Sequence, residues 1–197
     1  IMGPKTQLNN PHAVTVDPVH GEIFVPGRAN DHRILVFKRE HQGDVEPIRI
    51  LNLPDEPQRV GVDPVRNVIA VSGGPGLLLY NRTASGDDKP IREIIIPKSM
   101  GKRSTGLMAI NPENGMIFVK VDGEGRHEPQ DFIGVWSVYD DGEVPPRFTI
   151  GGPNGVLMDT RGVAVDLKNK NVIITDKTLN AILKIGRATS ELQSLAY

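Results

Sequence analysis

Residues 11–25 have the sequence Pro-His-Ala-Val-Thr-Val-Asp-Pro-Val-His-Gly-Glu-Ile-Phe-Val, and this stretch decides the fold because variants of it occur four times. A short apolar segment ends at Asp17, a turn follows, and a second apolar segment begins at Glu22. The equivalent marker residues in the four copies are Asp17, Asp63, Asn111 and Asp166, which lie 46, 48 and 55 positions apart. Such a period is typical of a repeat protein in which each copy forms one supersecondary unit.

Each copy continues with two more strand-like segments. The third segments occupy residues 34–37, 77–80, 135–138 and 182–185, and fourth segments that begin with proline occupy 47–50, 90–94 and 146–150. The second segments are almost continuously apolar, whereas the fourth alternate arginine with isoleucine, so only the outermost edge is expected to meet water. The sequence therefore predicts an all-β protein, a β-propeller built of four-stranded antiparallel blades. Residues 1–197 are predicted to form a single propeller domain or part of one, with repeats at about 11–58, 59–105, 106–160 and 161–197.

The two ends of the chain are out of register with the repeats. Residues 1–8 match residues 150–157 at Ile, Gly, Pro and Leu, so residues 1–10 are predicted to be the end of an outer strand and its exit turn. The fourth repeat lacks a matching fourth segment. Two arrangements remain open, namely a closed four-bladed ring completed by the N-terminal strand, and a fragment of a six- to seven-bladed propeller.

The composition excludes several classes of function. The formal net charge is −1, from 23 basic and 24 acidic residues, so there is no basic excess for binding nucleic acid. No apolar run approaches the length of a membrane span, so membrane insertion is not expected. The absence of cysteine excludes disulfides, thiol catalysis and cysteine-ligated metals.

Two long polar loops between second and third segments are the candidate binding surface. Such loops gather at one end of a propeller, where longer connections commonly carry specificity. The first repeat contributes residues 27–33 and the third contributes residues 122–131. The predicted binding rim contains Arg28, Asn30, Asp31, His32, Glu124, Arg126, His127, Glu128 and Asp131.

Other conspicuous residues are interpreted as structural. Each marker Asp or Asn precedes or begins a turn, and its side-chain oxygen is expected to cap that turn rather than to bind a metal. Trp136 is predicted to pack in the core or near its edge, with stacking on a ligand as the alternative. The recurrent arginines of the fourth segments, Arg49, Arg92 and Arg147, are predicted to form a solvated edge, with an ion pair between blades as the alternative.

The motif of residues 11–25, followed by Ile-Leu-Val-Phe at 34–37, resembles the NHL-repeat and YncE-like β-propellers. The resemblance extends over nearly the whole chain, although the usual Asp after the second strand is present only at Asp176. Most members of this superfamily are binding scaffolds and a minority are enzymes, so the resemblance implies fold more than activity. It also implies an extracellular or periplasmic location in a bacterium.

Three functional hypotheses follow. The first is a non-enzymatic module that binds a protein, peptide or glycan through loops on one face, without a cofactor and without assigned catalytic or metal-binding residues. The second is a hydrolase or lyase assisted by a divalent cation in the central channel, with His12, Asn111 and Asp131 as the nearest candidate ligands. The third is a structural part of a cell-surface assembly.

Overall fold

The computed structural model describes residues 1–100, 105–122, 131–151 and 156–186. Its strands form four sheets, each of which is called a blade here. Blade 1 contains β1 (Thr15–Asp17), β2 (Glu22–Pro26), β3 (Arg33–Lys38) and β4 (Arg49–Asn52). Blade 2 contains β5 (Arg59–Asp63), β6 (Val68–Ser72), β7 (Gly76–Asn81) and β8 (Arg92–Ile95).

Blade 3 contains β9 (Thr105–Asn111), β10 (Met116–Val121), β11 (Phe132–Ser137) and β13 (Phe148–Gly151), whereas the short β12 (Gly142–Glu143) joins blade 2. Blade 4 contains β14 (Thr160–Asp166), β15 (Asn171–Asp176) and β16 (Ala181–Gly186). Within each blade, consecutive strands pair antiparallel, and the prediction of an all-β, propeller-type fold is confirmed. No helix of the described residues is long and apolar enough to cross a membrane.

The marker residues cap the turns between the first two strands, as predicted. Asp17 Oδ1 accepts hydrogen bonds from the N–H groups of Val19 and His20, at 2.9 and 3.1 Å. Asp63 Oδ1 accepts two equivalent bonds in blade 2, both at 3.0 Å. Asn111 Oδ1 accepts one from Glu113 N–H, and Asp166 Oδ1 accepts one from Asn169 N–H. Each side chain thus satisfies backbone donors that a tight turn leaves unpaired.

Three apolar clusters lie between neighbouring blades and hold them together. One joins blades 1 and 2, one joins blades 2 and 3, and one joins blades 3 and 4. Trp136 is fully buried in the second cluster, which confirms its predicted place in the core. Its indole Nε1–H donates to Val144 O at 3.1 Å, so the one polar group of the ring is satisfied.

The outer strand of one blade is covered by a loop of the next. Asn52 N–H donates to Gly86 O at 2.8 Å and Gly86 N–H donates to Ile50 O at 2.7 Å, which places a blade 2 loop along β4. At the following boundary, β12 pairs in parallel with β8, and Val144 N–H donates to Ile95 O at 3.2 Å. The prediction that these outer edges meet water is therefore wrong at both boundaries, because the next blade supplies the missing hydrogen-bond partners.

Residues 1–10 contain no strand, and Pro4–Thr6 form a single 3-10 turn. Met2 N–H nevertheless donates to Gly43 O at 2.9 Å, in a loop of blade 1. The bond is equivalent to that from Asn52 N–H, at the end of β4, to Gly86 O in the corresponding loop of blade 2. Met2 therefore lies against blade 1 as the end of β4 lies against blade 2. Within the described residues, no N-terminal residue pairs with blade 4, and the sheets do not close into a ring.

A charged cluster centred on Glu22 crosslinks blades 1 and 2, close to the alternative interpretation of Arg49 as part of an ion pair between blades. Glu22 is 8% exposed and accepts two hydrogen bonds from Arg49, at 2.7 and 3.0 Å. It also pairs with Nη1 of the buried Arg82, which comes from the neighbouring blade. Arg82 lies 3.7 Å from Asp17 Oδ2 as well. Arg49 therefore belongs to an ion-pair network between blades instead of the predicted solvated edge.

This cluster predicts a loss of stability in acid. Burial acts to raise the pKa of Asp17 and of Glu22, but hydrogen bonds outweigh burial. Asp17 accepts these bonds from His20 and Val19, and Glu22 accepts them from Arg49 and Arg82. Both values therefore lie below the ordinary 3.8 and 4.5. A pKa that is lower in the folded state adds stability above the unfolded-state pKa, and that stability is lost as the pH falls towards the folded-state value.

We accordingly expect the stability contributed by these two carboxylates to be present at neutral pH and to be lost as the pH falls below about 4.5. Urea unfolding at a series of pH values measures this directly. The Glu22→Gln variant should show a shallower decline, because the group it lacks no longer titrates. An equally steep decline in that variant would contradict the assignment.

Candidate functional site

The loop face is defined here as the end of the blades that carries the β2–β3, β6–β7, β10–β11 and β15–β16 connections. The innermost strands β1, β5, β9 and β14 pack side by side and begin at this face. Where they begin, the structure has an open cavity of about 340 Å³, called the mouth cavity here. Its lining residues come from all four blades: His12, Arg28, Gln58, Arg59, Gly106, Leu107, Lys120, Asp122, Thr160 and Arg161.

Cationic side chains dominate this lining. Four of the ten residues are arginine or lysine and one is an acid, in a chain whose overall charge is −1. Three of the cations are neutralised by neighbouring carboxylates. Arg28 lies 3.1 Å from Glu56, and Arg161 lies 2.9 Å from Asp159. Lys120 Nζ lies 2.8 Å from Asp122 and 3.0 Å from Asp131.

Lys120 stays protonated because of these two acids. Burial acts to lower its pKa, but hydrogen bonds to Asp122 and Asp131 and their negative charges outweigh burial and raise the pKa above its ordinary value. Asp131 in turn accepts a hydrogen bond from the buried Thr160 N–H at 3.2 Å. Lys120 and Asp131 therefore connect blade 3 to the first residue of β14 and fix one wall of the cavity.

Arg59 differs from the other three cations. It is half-buried at the first position of β5, and among the described residues no carboxylate forms an ion pair with it. Its Nη1 donates to Gln58 O at 2.7 Å and lies 3.3 Å from His12 Nδ1. Burial, followed by repulsion from Arg28, lowers the pKa of Arg59 below its ordinary value. Among the described residues of the lining, Arg59 is thus the one Arg or Lys without an ion-pair partner.

The predicted rim residues of the first loop have different environments. Arg28 lines the mouth cavity, and the N–H of the exposed Asn30 donates to Glu56 Oε2 at 3.2 Å. Asp31 is buried and binds Arg33, with Nε to Oδ1 at 2.7 Å, so it stabilises the loop itself. His32 is exposed, and its backbone carbonyl accepts a hydrogen bond from Leu53. In the other loop, Glu124, Arg126, His127 and Glu128 lie outside the described residues.

The candidate ligands of a channel cation do not come together. His12 lies at the mouth cavity, whereas Asn111 caps the turn at the far end of β9. Asp131 lies at the loop face, where it pairs with Lys120. Across the described part of the chain, no group of three or more His, Cys, Asp or Glu side chains could hold a metal ion.

Sequence reasoning missed Arg59, Lys120 and Arg161. A signal for two of them was present, because Arg59 lies four residues before Asp63 and Arg161 lies five residues before Asp166. His12 lies five residues before Asp17 in the first copy. Arg161 lies one residue further from its marker than Arg59 does, because the register of β14 shifts between Thr160 and Gly162. An arginine in the first two residues of the innermost strand lines the mouth cavity in repeats 2 and 4, and in repeat 1 His12 lines it from three residues before β1.

Comparisons with known proteins show the fold and no more. Among solved structures, hydrazine synthase from Kuenenia stuttgartiensis is similar, with a TM-score of 0.64 and 16% sequence identity. The match covers 96% of this chain and 49% of that one, so this chain spans about half the length of that structure. No family model matches the chain, and no curated protein matches it. Since unrelated functions share such folds, the site itself must carry the functional argument.

Proposed function

We propose that this protein is a binding module that recognises a protein, peptide or glycan partner through its loop face. The single observation that carries the proposal is the mouth cavity, where residues of all four blades converge on an opening of ligand-binding size. Loops and strand ends held by a rigid scaffold are the usual place for binding residues. The blades supply that scaffold through three buried apolar interfaces.

We also propose that the chain is related to the NHL-repeat and YncE-like propellers. The support for this is the motif of residues 11–25 and its three further copies, each with a turn capped by its marker residue. Binding without catalysis is the commoner role in that superfamily. The mouth cavity provides a place for it.

A charge-reversal experiment tests the proposed function. The purified chain is used to select binders from a displayed random-peptide library and from a glycan array. We expect the double variant Arg59→Glu, Arg161→Glu to bind the recovered ligands at least tenfold more weakly, because two cations of the cavity become acids. Affinity is measured by biolayer interferometry, and circular dichroism melting verifies that the variant is folded.

The matched control is the double variant Lys38→Glu, Arg39→Glu. Both residues are exposed at the opposite end of blade 1, and the change in net charge is the same. We expect its affinities to stay within twofold of the wild type. The proposal is rejected if no binder is recovered, if the loop-face variant binds normally, or if the control variant loses as much affinity.

A further inference from the structure

The chemistry of the mouth cavity narrows the class of ligand. An arginine has five N–H donors in a planar fork. In Arg59 the contacts within the described residues involve Nη1 alone, and neither Nε nor Nη2 is a buried unpaired donor. Nε–H and Nη2–H therefore face solvent. This edge of a guanidinium fits the two oxygens of one carboxylate, in two parallel hydrogen bonds.

The charge of the surroundings favours a singly charged group. Arg28, Lys120 and Arg161 are already paired with the four carboxylates Glu56, Asp122, Asp131 and Asp159. A phosphate chain or a nucleic acid would meet those carboxylates without a basic excess to offset the repulsion. Arg59 is half-buried, where charge interactions are stronger than in water, and it has no ion-pair partner among the described residues, so it can pair with one singly charged group.

The lining also favours an amino-acid side chain over an acidic sugar. Aromatic rings supply broad apolar contact area, and flat sugar rings stack well on them. None of the described residues that line the mouth cavity is Phe, Tyr or Trp. Tyr139, whose side chain is exposed, follows β11 at the opposite end of blade 3. The small apolar contribution of Gly106 and Leu107 suits a short aliphatic stem such as that of Asp or Glu.

We infer that the mouth cavity binds a side-chain carboxylate from an acidic segment of a partner protein, with the guanidinium of Arg59 as the anchor. This inference rests on the proposed function of the loop face. Arg59 and the side chain of the ligand form a bidentate salt bridge, and His12 lies beside it at the channel opening. The paired cations around it keep the rim polar and hydrogen-bonding.

Calorimetric titration with synthetic peptides tests the inference. The probe is an acetylated, amidated peptide of alternating Glu and Gly residues, and the matched control peptide has Gln at every Glu position. We expect the Glu peptide to bind the wild-type chain and the Gln peptide to bind at least tenfold more weakly. The Arg59→Met variant should lose at least tenfold in affinity for the Glu peptide, whereas Arg59→Lys should fall between, because lysine keeps the charge but lacks the fork.

The contrary outcomes separate this inference from the proposed function. Equal affinity of the wild type and Arg59→Met for the Glu peptide overturns the inference. The inference is also overturned if trigalacturonate binds through Arg59 and the Glu peptide does not bind. That result would assign the cavity to an acidic glycan. If neither probe binds the wild type, the inference fails, whereas the proposed function fails only through the charge-reversal experiment with library-selected ligands.

Discussion

Replacement of Glu22 by alanine is expected to lower the free energy of unfolding by about 3 to 5 kcal/mol, the usual cost of breaking a buried ion pair from one side. Glu22 forms ion pairs with two arginines, Arg49 of the same blade and the buried Arg82 of blade 2. Without the carboxylate, Arg49 loses its ion-pair partner, and the buried Arg82 keeps only the more distant Asp17, at 3.7 Å. Urea unfolding monitored by circular dichroism measures the loss.

Glu40→Ala is the control for this prediction, because Glu40 is exposed near the same end of blade 1. Its effect should lie within about 0.5 kcal/mol. The double variant Glu22→Met, Arg82→Met should recover part of the loss, since it removes one buried charge together with its partner. If Glu22→Ala is no more destabilising than Glu40→Ala, the network does not hold the two blades together.

Trp136→Ala is expected to cost about 3 to 5 kcal/mol, as is typical when a large buried aromatic is truncated. Trp136 packs with residues of blade 2, and its indole N–H holds Val144 beside the outer strand of that blade. The substitution therefore opens a cavity and also releases the loop that covers β8. Thermal and urea unfolding of the same samples report the change.

Trp136→Phe separates the two contributions. It retains most of the apolar volume and removes the hydrogen bond, so we expect a loss of about 1 to 2 kcal/mol. A Trp136→Ala variant that unfolds within about 1 kcal/mol of the wild type would contradict the placement of this side chain in the core between blades.

The fold could be predicted from the sequence because its signals are local and repeated. The spacing from Asp17 to Asp63 to Asn111 shows one unit per blade, and each marker caps its own turn within three residues. Contacts between blades were not predictable in the same way. Glu22 and Arg82 are 60 residues apart in the chain, and nothing in their local sequence distinguishes them from solvated charges.

The site could be predicted only in part, for the same reason. The polarity of residues 27–33 indicates a surface loop, and the structure places Arg28 of this loop at the mouth cavity. The polarity does not show that Asp31 turns inward to Arg33, because that choice depends on the local backbone. Arg59 begins a strand, so the polarity of a loop does not mark it. It stands out only in the structure, where the other cations of the cavity have carboxylate partners and no described carboxylate pairs with Arg59.

We propose that Arg59 at the mouth cavity binds the carboxylates of an acidic partner. The most direct test of this proposal is a two-dimensional ¹H–¹⁵N NMR titration that observes the arginine Nε–H signals, with Arg59→Lys used to assign the Arg59 resonance. We expect the Glu peptide to shift the Arg59 signal in a saturable manner. The signal of Arg66, which is bound to Asp63 at the opposite end of blade 2, should stay unchanged. An Arg59 signal that does not move at saturating peptide, or one that moves no more than that of Arg66, would contradict the proposal.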